Sequence, residues 1–195
     1  MEIDQFWTRG NLKERIANAL NEAGLNKANL KIEDLQPIDQ YHARGILATK
    51  ELAEKVDIKE NQSIIDVGCG LAGPARYFAN KFKCNVYGVD ITPAFIEAGT
   101  DFNKRTKMDN KVHLQVSDGN TLPFDNSMFD GAISQHVTMN IKNREKFFTE
   151  IFRVLKKDKF FAFSEHGLGP KGNPIFPLPW ADNEDMSFLI NPDLT

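Results

Sequence analysis

The stretch IIDVGCGLAG, residues 64–73, joins a short apolar segment to a loop that contains three glycines. Gly68, Gly70 and Gly73 have the G-x-G-x-x-G spacing, which is typical of dinucleotide-binding loops when a strand precedes it and a helix follows. By itself the spacing is a weak signal, because a tight strand-to-helix turn also favours glycine. Asp66 adds a carboxylate two residues before Gly68. Two kinds of ligand therefore stay open: one that carries phosphate, and one for which a negative charge is favourable.

Strand-like and helix-like segments alternate around this loop at intervals of roughly 20 to 30 residues. Strands are predicted at SIIDVG from residue 63, NVYGVD from 85, KVHLQVS from 111, FDGAISQ from 129 and KFFAFSEH from 159. Helices are predicted near 73–82, from Pro93 onward and near 143–156. This alternation predicts an α/β fold, a Rossmann-like, mostly parallel sheet with helices on both faces.

The first part of the chain has helical periodicity. Apolar residues recur at helical spacing over residues 12–23, and Gly24 follows as a stop signal. A second helix is predicted from about Tyr41 to Val56, after Pro37. We therefore divide the chain into an N-terminal helical lid and substrate segment, residues 1–58, and a Rossmann-like ligand-binding domain, residues 59–195. The tail GLGPKGNPIFPLPWADN, residues 167–183, is typical of a long loop.

Composition and charge argue against several classes of function. The chain has 195 residues, a formal net charge of −3 and a pI of about 5.8, so no surface for nucleic acid or anionic membranes is indicated. No apolar run approaches the roughly 18 residues that span a bilayer, and the charged N-terminus does not suit a signal peptide. Cys69 and Cys84 lack metal-ligand spacing, so no metal is expected. We expect a cytoplasmic protein with reduced thiols.

Polar side chains stand at successive predicted strand ends, where open parallel sheets bind their ligands. They are Asp66, Asp90, Asp118 and Gln135. Asp66 would repel the pyrophosphate of a nicotinamide dinucleotide in a partly desolvated cleft. S-adenosylmethionine has no phosphate and carries cationic ammonium and sulfonium groups, so Asp66 favours it. Asp90 suits the ribose diol of either cofactor and Asp118 suits the adenine amino group, while both also suit capping of the following turn.

Four segments resemble, in order, the successive motifs of class I S-adenosylmethionine-dependent methyltransferases: IIDVGCGLAGPARYFA, VYGVDIT, SDGNTLPFDNSMFDGAISQHV and IFRVLKKDKFFAFSEH. The similarity covers about residues 35–190. PIDQYHARGILATKELAE and FPLPWADNEDMSFLI are similar to the branch of sarcosine/dimethylglycine methyltransferases and, more distantly, to phosphoethanolamine methyltransferases. The resemblance implies that residues 59–195 bind S-adenosylmethionine through Asp66, Gly68, Gly70, Asp90, Ile91, Asp118, Gly119, Asn120 and Gln135.

Members of this family continue past the fifth strand through a helix and two further strands. The resemblance therefore implies that the C-terminal strands of the family fold are missing here and that KFFAFSEH lies at an open sheet edge. Phe160, Phe161 and Phe163 on such an edge would favour association. We expect a homodimer, a partner chain or the chain's own tail to cover the fifth strand.

Methyl transfer from a sulfonium is an in-line displacement with a neutral leaving group, so the protein mainly positions the reactants and excludes water. An amine acceptor must be unprotonated, and a nearby base helps. Tyr41 and His136 are the catalytic candidates, and His42, Glu165 and His166 are further candidate bases.

An aromatic residue in the tail adds a further candidate. Trp180 can face a methylated ammonium through a cation–π contact, or it can anchor the loop by packing. We expect Tyr41, His136 and Trp180 to converge in one cavity. In the phosphoethanolamine enzymes a histidine partners the tyrosine that Tyr41 resembles, and Asn140 stands at that place here.

Three functions follow as hypotheses. The first is an S-adenosylmethionine-dependent methyltransferase that acts on a small molecule, by N-methylation of a glycine-derived or phosphoethanolamine-like amine. The second is a non-catalytic remnant, or one half of a split methyltransferase, that binds the cofactor. The third is a dinucleotide oxidoreductase, which Asp66 and the later motifs disfavour. The sequence does not identify the methyl acceptor.

Overall fold

Five strands lie where the alternation predicts them in the computed structural model, which describes residues 3–194. They are β1 (Ser63–Val67), β2 (Asn85–Asp90), β3 (Val112–Val116), β4 (Phe129–Gln135) and β5 (Leu155–Ser164). The strands form one sheet in the order β3-β2-β1-β4-β5, and all four neighbouring pairs are parallel. The strand order reverses between β1 and β4, so a crevice opens at the carboxyl ends of these central strands.

Seven α-helices accompany the sheet within the described residues. Four precede it: α1 (Ile3–Thr8), α2 (Leu12–Glu22), α3 (Ile32–Asp39) and α4 (Ile46–Glu54). Three connect strands: α5 (Gly73–Phe82), α6 (Pro93–Arg105) and α7 (Arg144–Val154). Alternate strand residues point to opposite faces of the sheet. Ile64 packs with Phe78 of α5, whereas Ile65 packs with Phe147 of α7, so helices cover both faces as predicted.

The predicted helix from Tyr41 to Val56 is wrong at its N-terminal end. Helix α4 begins at Ile46, and residues 40–45 form a turn. Arg44 and Gly45 have φ of 67° and 51°, values that a right-handed helix cannot contain. Pro37 does not precede a helix but lies inside α3, close to its end. Helix α1 was not predicted.

A buried ion pair attaches α3 to α5. Arg76 donates from Nη2 to Oδ2 of Asp39 at 2.9 Å, and both side chains are fully buried. Gly73, the third glycine of the loop, lies against the end of α3, where a Cβ atom would overlap the backbone carbonyl of Asp39. The packing of α3 against the start of α5 therefore explains why residue 73 is a glycine. This close approach of the two helices places residues 40–45, which follow α3, beside the crevice.

The fifth strand is an edge strand of the sheet that residues 3–194 form. Phe161 and Phe163 stack on one face with ring centroids 4.9 Å apart, and Phe163 stays 37% exposed. Phe160 packs against the core on the other face. Among residues 3–194, none of the helices combines the length and the apolar character needed to cross a bilayer.

Candidate active site

A cavity of about 820 Å³ opens at the carboxyl ends of β1, β2, β3 and β4, beneath helices α1, α2 and α3. It brings together most of the residues proposed from the sequence. Those that line it are Tyr41, Gly68, Gly70, Asp90, Ile91, Asp118, Gly119, Asn120, Gln135 and His136. Its volume lies within the range of sites for small molecules and cofactors.

The loop after β1 brings backbone close to the cavity. Gly68 and Gly70 have φ of 79° and 52°, in the left-handed region that favours glycine. A Cβ atom at Gly68 would overlap the side chain of Val137, whereas a Cβ atom at Gly70 would meet nothing within 4 Å. Gly68 is therefore needed for both conformation and packing, and Gly70 leaves open space where its backbone lines the cavity.

Asp90, at the end of β2, binds the glycine loop. Its Oδ2 accepts a hydrogen bond from the amide of Gly70 at 2.9 Å, and Oδ1 accepts one from the amide of Thr92 at 2.8 Å. The capping role considered for Asp90 is thus present. Each carboxylate oxygen can accept a second hydrogen bond. Because Asp90 also lines the cavity, it keeps acceptor capacity for a ligand.

Asp118, after β3, has one carboxylate oxygen that accepts hydrogen bonds from the protein and one that does not. Oδ1 accepts from the amide of Asn120 at 2.8 Å and from the Asn120 side chain at 3.1 Å. Within residues 3–194, Oδ2 has no hydrogen-bond partner. Asp118 therefore caps its own turn and also presents a carboxylate oxygen at the cavity.

Asp66 does not line the cavity. It lies in β1 with 2% of its surface exposed, and Oδ2 has no hydrogen-bond partner in the described chain. Burial, and then the neighbouring carboxylate of Asp90, raise the pKa of Asp66 to about 7. Asp66 and Asp90 thus form an acidic pair beside the glycine loop, with Asp66 buried and Asp90 half-buried at the cavity, an arrangement that a nearby cation would stabilise.

Three imidazoles meet beside the cavity. The ring of His136 lies 5.7 Å from that of His42, in a stacked arrangement, and 4.3 Å from that of His166, edge to face. Burial, then His166 and His42, lower the pKa of His136 to about 4. Among the described residues, the His136 ring has no hydrogen-bond partner, so a neutral imidazole with a free nitrogen faces the cavity.

Two of the other candidate bases, His42 and Glu165, are hydrogen-bonded within the protein, whereas His166 makes ring contacts with His136 and Trp180. Both ring nitrogens of His42 have partners, Ala43 O at 3.3 Å and Thr49 Oγ1 at 3.1 Å. Glu165 accepts from the amides of Val137 and Thr138 at 3.1 Å. Glu165 therefore caps the short 3₁₀ turn Thr138–Asn140 and fixes the loop that carries His136.

The expected convergence of Tyr41, His136 and Trp180 is wrong for Trp180. Trp180 lies outside the cavity, where its indole stacks on His166 at 4.5 Å and donates to Ser187 Oγ at 3.2 Å. It packs with α1, so its role is that of a loop anchor.

Trp7 of α1 supplies an aromatic side chain to the cavity instead. Its ring lies 6.0 Å from that of Tyr41, edge to face. The apolar pattern Ile3, Phe6, Trp7 was the sequence signal that could have identified this helix.

Asn140 lines the cavity together with Ile141 and Lys142. Its Nδ2 donates to the carbonyls of Trp180 and Met186, each at 3.0 Å. Asn140 thus attaches the tail to the site. Within residues 3–194, no group of three or more His, Cys, Asp or Glu side chains is arranged to hold a metal ion.

Comparison with known proteins places this geometry in a family. A sterol 24-C-methyltransferase from Kluyveromyces lactis is 35% identical over 114 residues, which are 58% of this chain and 31% of that protein. The structure of Haemonchus contortus phosphoethanolamine N-methyltransferase 2 in complex with S-adenosyl-L-methionine has a TM-score of 0.72 and 21% identity, and covers 89% of this chain and 38% of that one. A putative sarcosine dimethylglycine methyltransferase from Galdieria sulphuraria has a TM-score of 0.62 and 20% identity, and covers 77% of this chain and 57% of that one.

The two structures share the fold of this chain, and the chain spans about a third of the length of the curated relatives it matches. The family model described as "Methyltransferase domain" matches residues 65–163, from the middle of β1 to the end of β5. Since this match covers half of the sequence, the chain belongs to the methyltransferase domain family.

Proposed function

We propose that this domain binds S-adenosylmethionine in the cavity and transfers its methyl group to a small molecule. The observation that supports this most directly is the acidic pair beside an open glycine loop, with Asp66 buried and Asp90 at the cavity. A cofactor with cationic groups and no phosphate supplies the charge that this pair lacks. A pyrophosphate at Gly68 and Gly70 would instead add negative charge beside two carboxylates.

Particular residues suit particular parts of this cofactor. Gly68 and Gly70, with Asp66 behind them, would hold the methionine end. Asp90, which retains acceptor capacity on both oxygens, would accept hydrogen bonds from the ribose hydroxyls. The available oxygen of Asp118 would accept from the adenine amino group. Ile91, Gly119, Asn120 and Gln135 would complete the contacts.

When bound, S-adenosylmethionine supplies a methyl group activated on a cationic sulfur. The protein has to orient the acceptor and exclude water, because the displacement needs no protein nucleophile. Helices α1 and α2 cover the cavity with apolar side chains such as Trp7 and Ile16. His136, neutral at neutral pH, can accept a hydrogen bond from an N–H group of a primary or secondary amine and so hold the amine lone pair in line with the methyl group. With a pKa of about 4, His136 orients the acceptor and does not store its proton. The phenol of Tyr41 is the second polar group on this side.

As acceptor we propose a glycine-derived or phosphoethanolamine-like amine. Two of the compared structures come from proteins named for such amines, whereas the sterol relative is named for transfer to carbon. Turnover distinguishes these classes. Formation of S-adenosylhomocysteine should be measured with glycine, sarcosine, dimethylglycine, phosphoethanolamine and a sterol as acceptors. Turnover with an amine supports the proposal, and turnover with the sterol alone replaces the proposed acceptor.

The alternative is a domain that binds the cofactor without turnover, as half of a split methyltransferase. The aromatic residues along β5 and α7 favour a further polypeptide there, since Phe152 is 66% and Phe163 37% exposed. We propose that a second copy or a partner chain covers this edge. Sedimentation of the purified chain separates the two cases. A dimer that Phe163→Glu dissociates supports self-association. A monomer that binds S-adenosylhomocysteine but is inactive supports the split enzyme.

A further inference from the structure

The hydroxyl of Thr49 is the centre of a buried polar network. Thr49, in α4, is fully buried, and its Oγ1 lies 2.6 Å from Oε1 of Gln40, 3.1 Å from Oε1 of Gln135 and 3.1 Å from Nε2 of His42. Gln40 and Gln135 are each only 7% exposed. Water therefore has little access, and these groups depend on one another for their hydrogen bonds.

The three contacts of Thr49 depend on one another because its hydroxyl has only one proton to donate. A hydroxyl donates one hydrogen bond and accepts two. Whichever partner receives the Thr49 proton, the other two must donate to its oxygen. Nδ1 of His42 faces the carbonyl of Ala43 and so has to donate, and burial lowers the pKa of His42. The neutral ring therefore accepts the Thr49 proton at Nε2, and both glutamines have to donate to the Thr49 oxygen. Amide oxygen and nitrogen are assigned from such networks, so both glutamines turn their NH₂ groups toward Thr49.

The network connects two parts of the site. Gln135 ends β4 and lines the cavity, where the proposed cofactor would contact it. Gln40 and His42 flank Tyr41 in the connection between α3 and α4, and the His42 ring stacks on that of His136. Tyr41 itself is 68% exposed, and the turn contains the left-handed residues Arg44 and Gly45. Thr49 is thus the junction between the cofactor side and the acceptor side.

We propose that Thr49 is a positioning residue that couples occupancy of the cofactor site at Gln135 to the ordering of residues 40–45, which carry Tyr41 and His42. The inference rests on the proposed function, since it takes S-adenosylmethionine or its product as the ligand. Loss of the hydroxyl would leave Gln40, His42 and Gln135 without their common partner, and unsatisfied buried groups are costly. The coupling would then be lost although no cofactor contact is removed.

The test uses the full chain and S-adenosylhomocysteine. Thr49→Val keeps the side-chain shape and removes the hydroxyl, whereas Thr49→Ser keeps the hydroxyl and is the matched control. Affinity is measured by calorimetry, and amide hydrogen exchange of residues 40–45 is measured with and without ligand. In the wild-type chain and in Thr49→Ser, the ligand should slow exchange of these amides at least about fivefold, the lower end of usual site-to-site coupling. In Thr49→Val, saturating ligand should leave their exchange unchanged.

The outcomes are separable. Equal slowing in Thr49→Val and in the wild-type chain, both saturated with ligand, would overturn the coupling. Absence of binding to the wild-type chain would instead contradict the proposed function. If Thr49→Val does not fold, as judged by circular dichroism, Gln40→Met breaks the same junction from the N-terminal side and should likewise abolish the ligand-induced slowing. Retention of the slowing in Gln40→Met would contradict the proposal.

Discussion

Asp39 of α3 and Arg76 of α5 form an ion pair with 2.9 Å between Oδ2 and Nη2, and neither side chain is exposed to solvent. Arg76 also donates to Asn103 Oδ1 at 2.7 Å and to the carbonyl of Leu71. The pair joins the N-terminal helices to the sheet at the point where the cavity is covered. The position of α3 and of residues 40–45 beside the cavity therefore depends on a charged contact in the core.

Arg76→Met should destabilise the protein by about 3–5 kcal/mol, because it leaves the Asp39 carboxylate buried without its partner. Urea denaturation measures the free energy of unfolding. The double variant Asp39→Leu/Arg76→Met should lose less than Arg76→Met alone, since no uncompensated charge remains. Lys13→Met, which breaks the exposed pair Lys13–Glu97, is the control and should have a far smaller effect. A chain with Arg76→Met that is as stable as the wild type would contradict this account of the pair.

Gly73→Ala should cost roughly 1–3 kcal/mol, the usual penalty for overpacking. The added methyl group would overlap the backbone of Asp39, which cannot rotate away. Gly169→Ala is a matched control, because a Cβ atom there meets nothing within 4 Å and its φ is not left-handed. Thermal unfolding of both variants gives the comparison. Equal stability of the two variants would show that α3 does not pack on Gly73 as described.

Asp66→Asn should stabilise the ligand-free protein increasingly as the pH rises. The pKa of Asp66 is raised from 3.8 to about 7, so between these values the folded chain holds a proton that the unfolded chain has released. The free energy of unfolding of the wild type therefore falls over this window, and the fall is complete above pH 7. The asparagine side chain stays neutral, so the free energy of unfolding of the variant does not fall over this pH range. The gain should be near zero at about pH 4 and roughly 2–4 kcal/mol at about pH 8. A gain independent of pH would be inconsistent with a raised pKa.

The His136 ring should titrate near pH 4 and not near 6.5. Burial is the largest cause, followed by the imidazoles of His166 and His42. Nuclear magnetic resonance of the ring protons measures the titration, with His136→Gln providing the assignment. His166→Gln removes one neighbour and should raise the pKa of His136. A midpoint near 6.5 in the wild-type chain would mean that much of the His136 ring is protonated at about pH 6, and it would contradict its role as a neutral hydrogen-bond acceptor there.

The central strands β2, β1 and β4 could be predicted from the sequence because each contains a short run of buried residues, and β2 and β4 end in a polar residue. The same pattern places Asp90 and Gln135 at strand ends, and both line the cavity. The turn at Arg44 and Gly45 was missed, since a left-handed arginine leaves no compositional signal. Trp180, which was expected in the cavity, lies outside it, and Trp7, for which no role was predicted, lines it, because tertiary packing decides which aromatic side chain reaches the cavity. A threonine within a helix gives no sign that three polar side chains meet at its hydroxyl, so Thr49 was also missed.

The measurement that tests the central claim most directly is calorimetric titration of S-adenosylhomocysteine into the wild-type chain and into Asp90→Ala. The account predicts one bound ligand per chain, no binding of NAD, and an affinity for Asp90→Ala weakened by about 1.5–3 kcal/mol, the worth of hydrogen bonds to a charged group. That loss corresponds to roughly a 10- to 150-fold increase in Kd. Absence of S-adenosylhomocysteine binding, tighter binding of NAD, or an unchanged Kd in Asp90→Ala would contradict it.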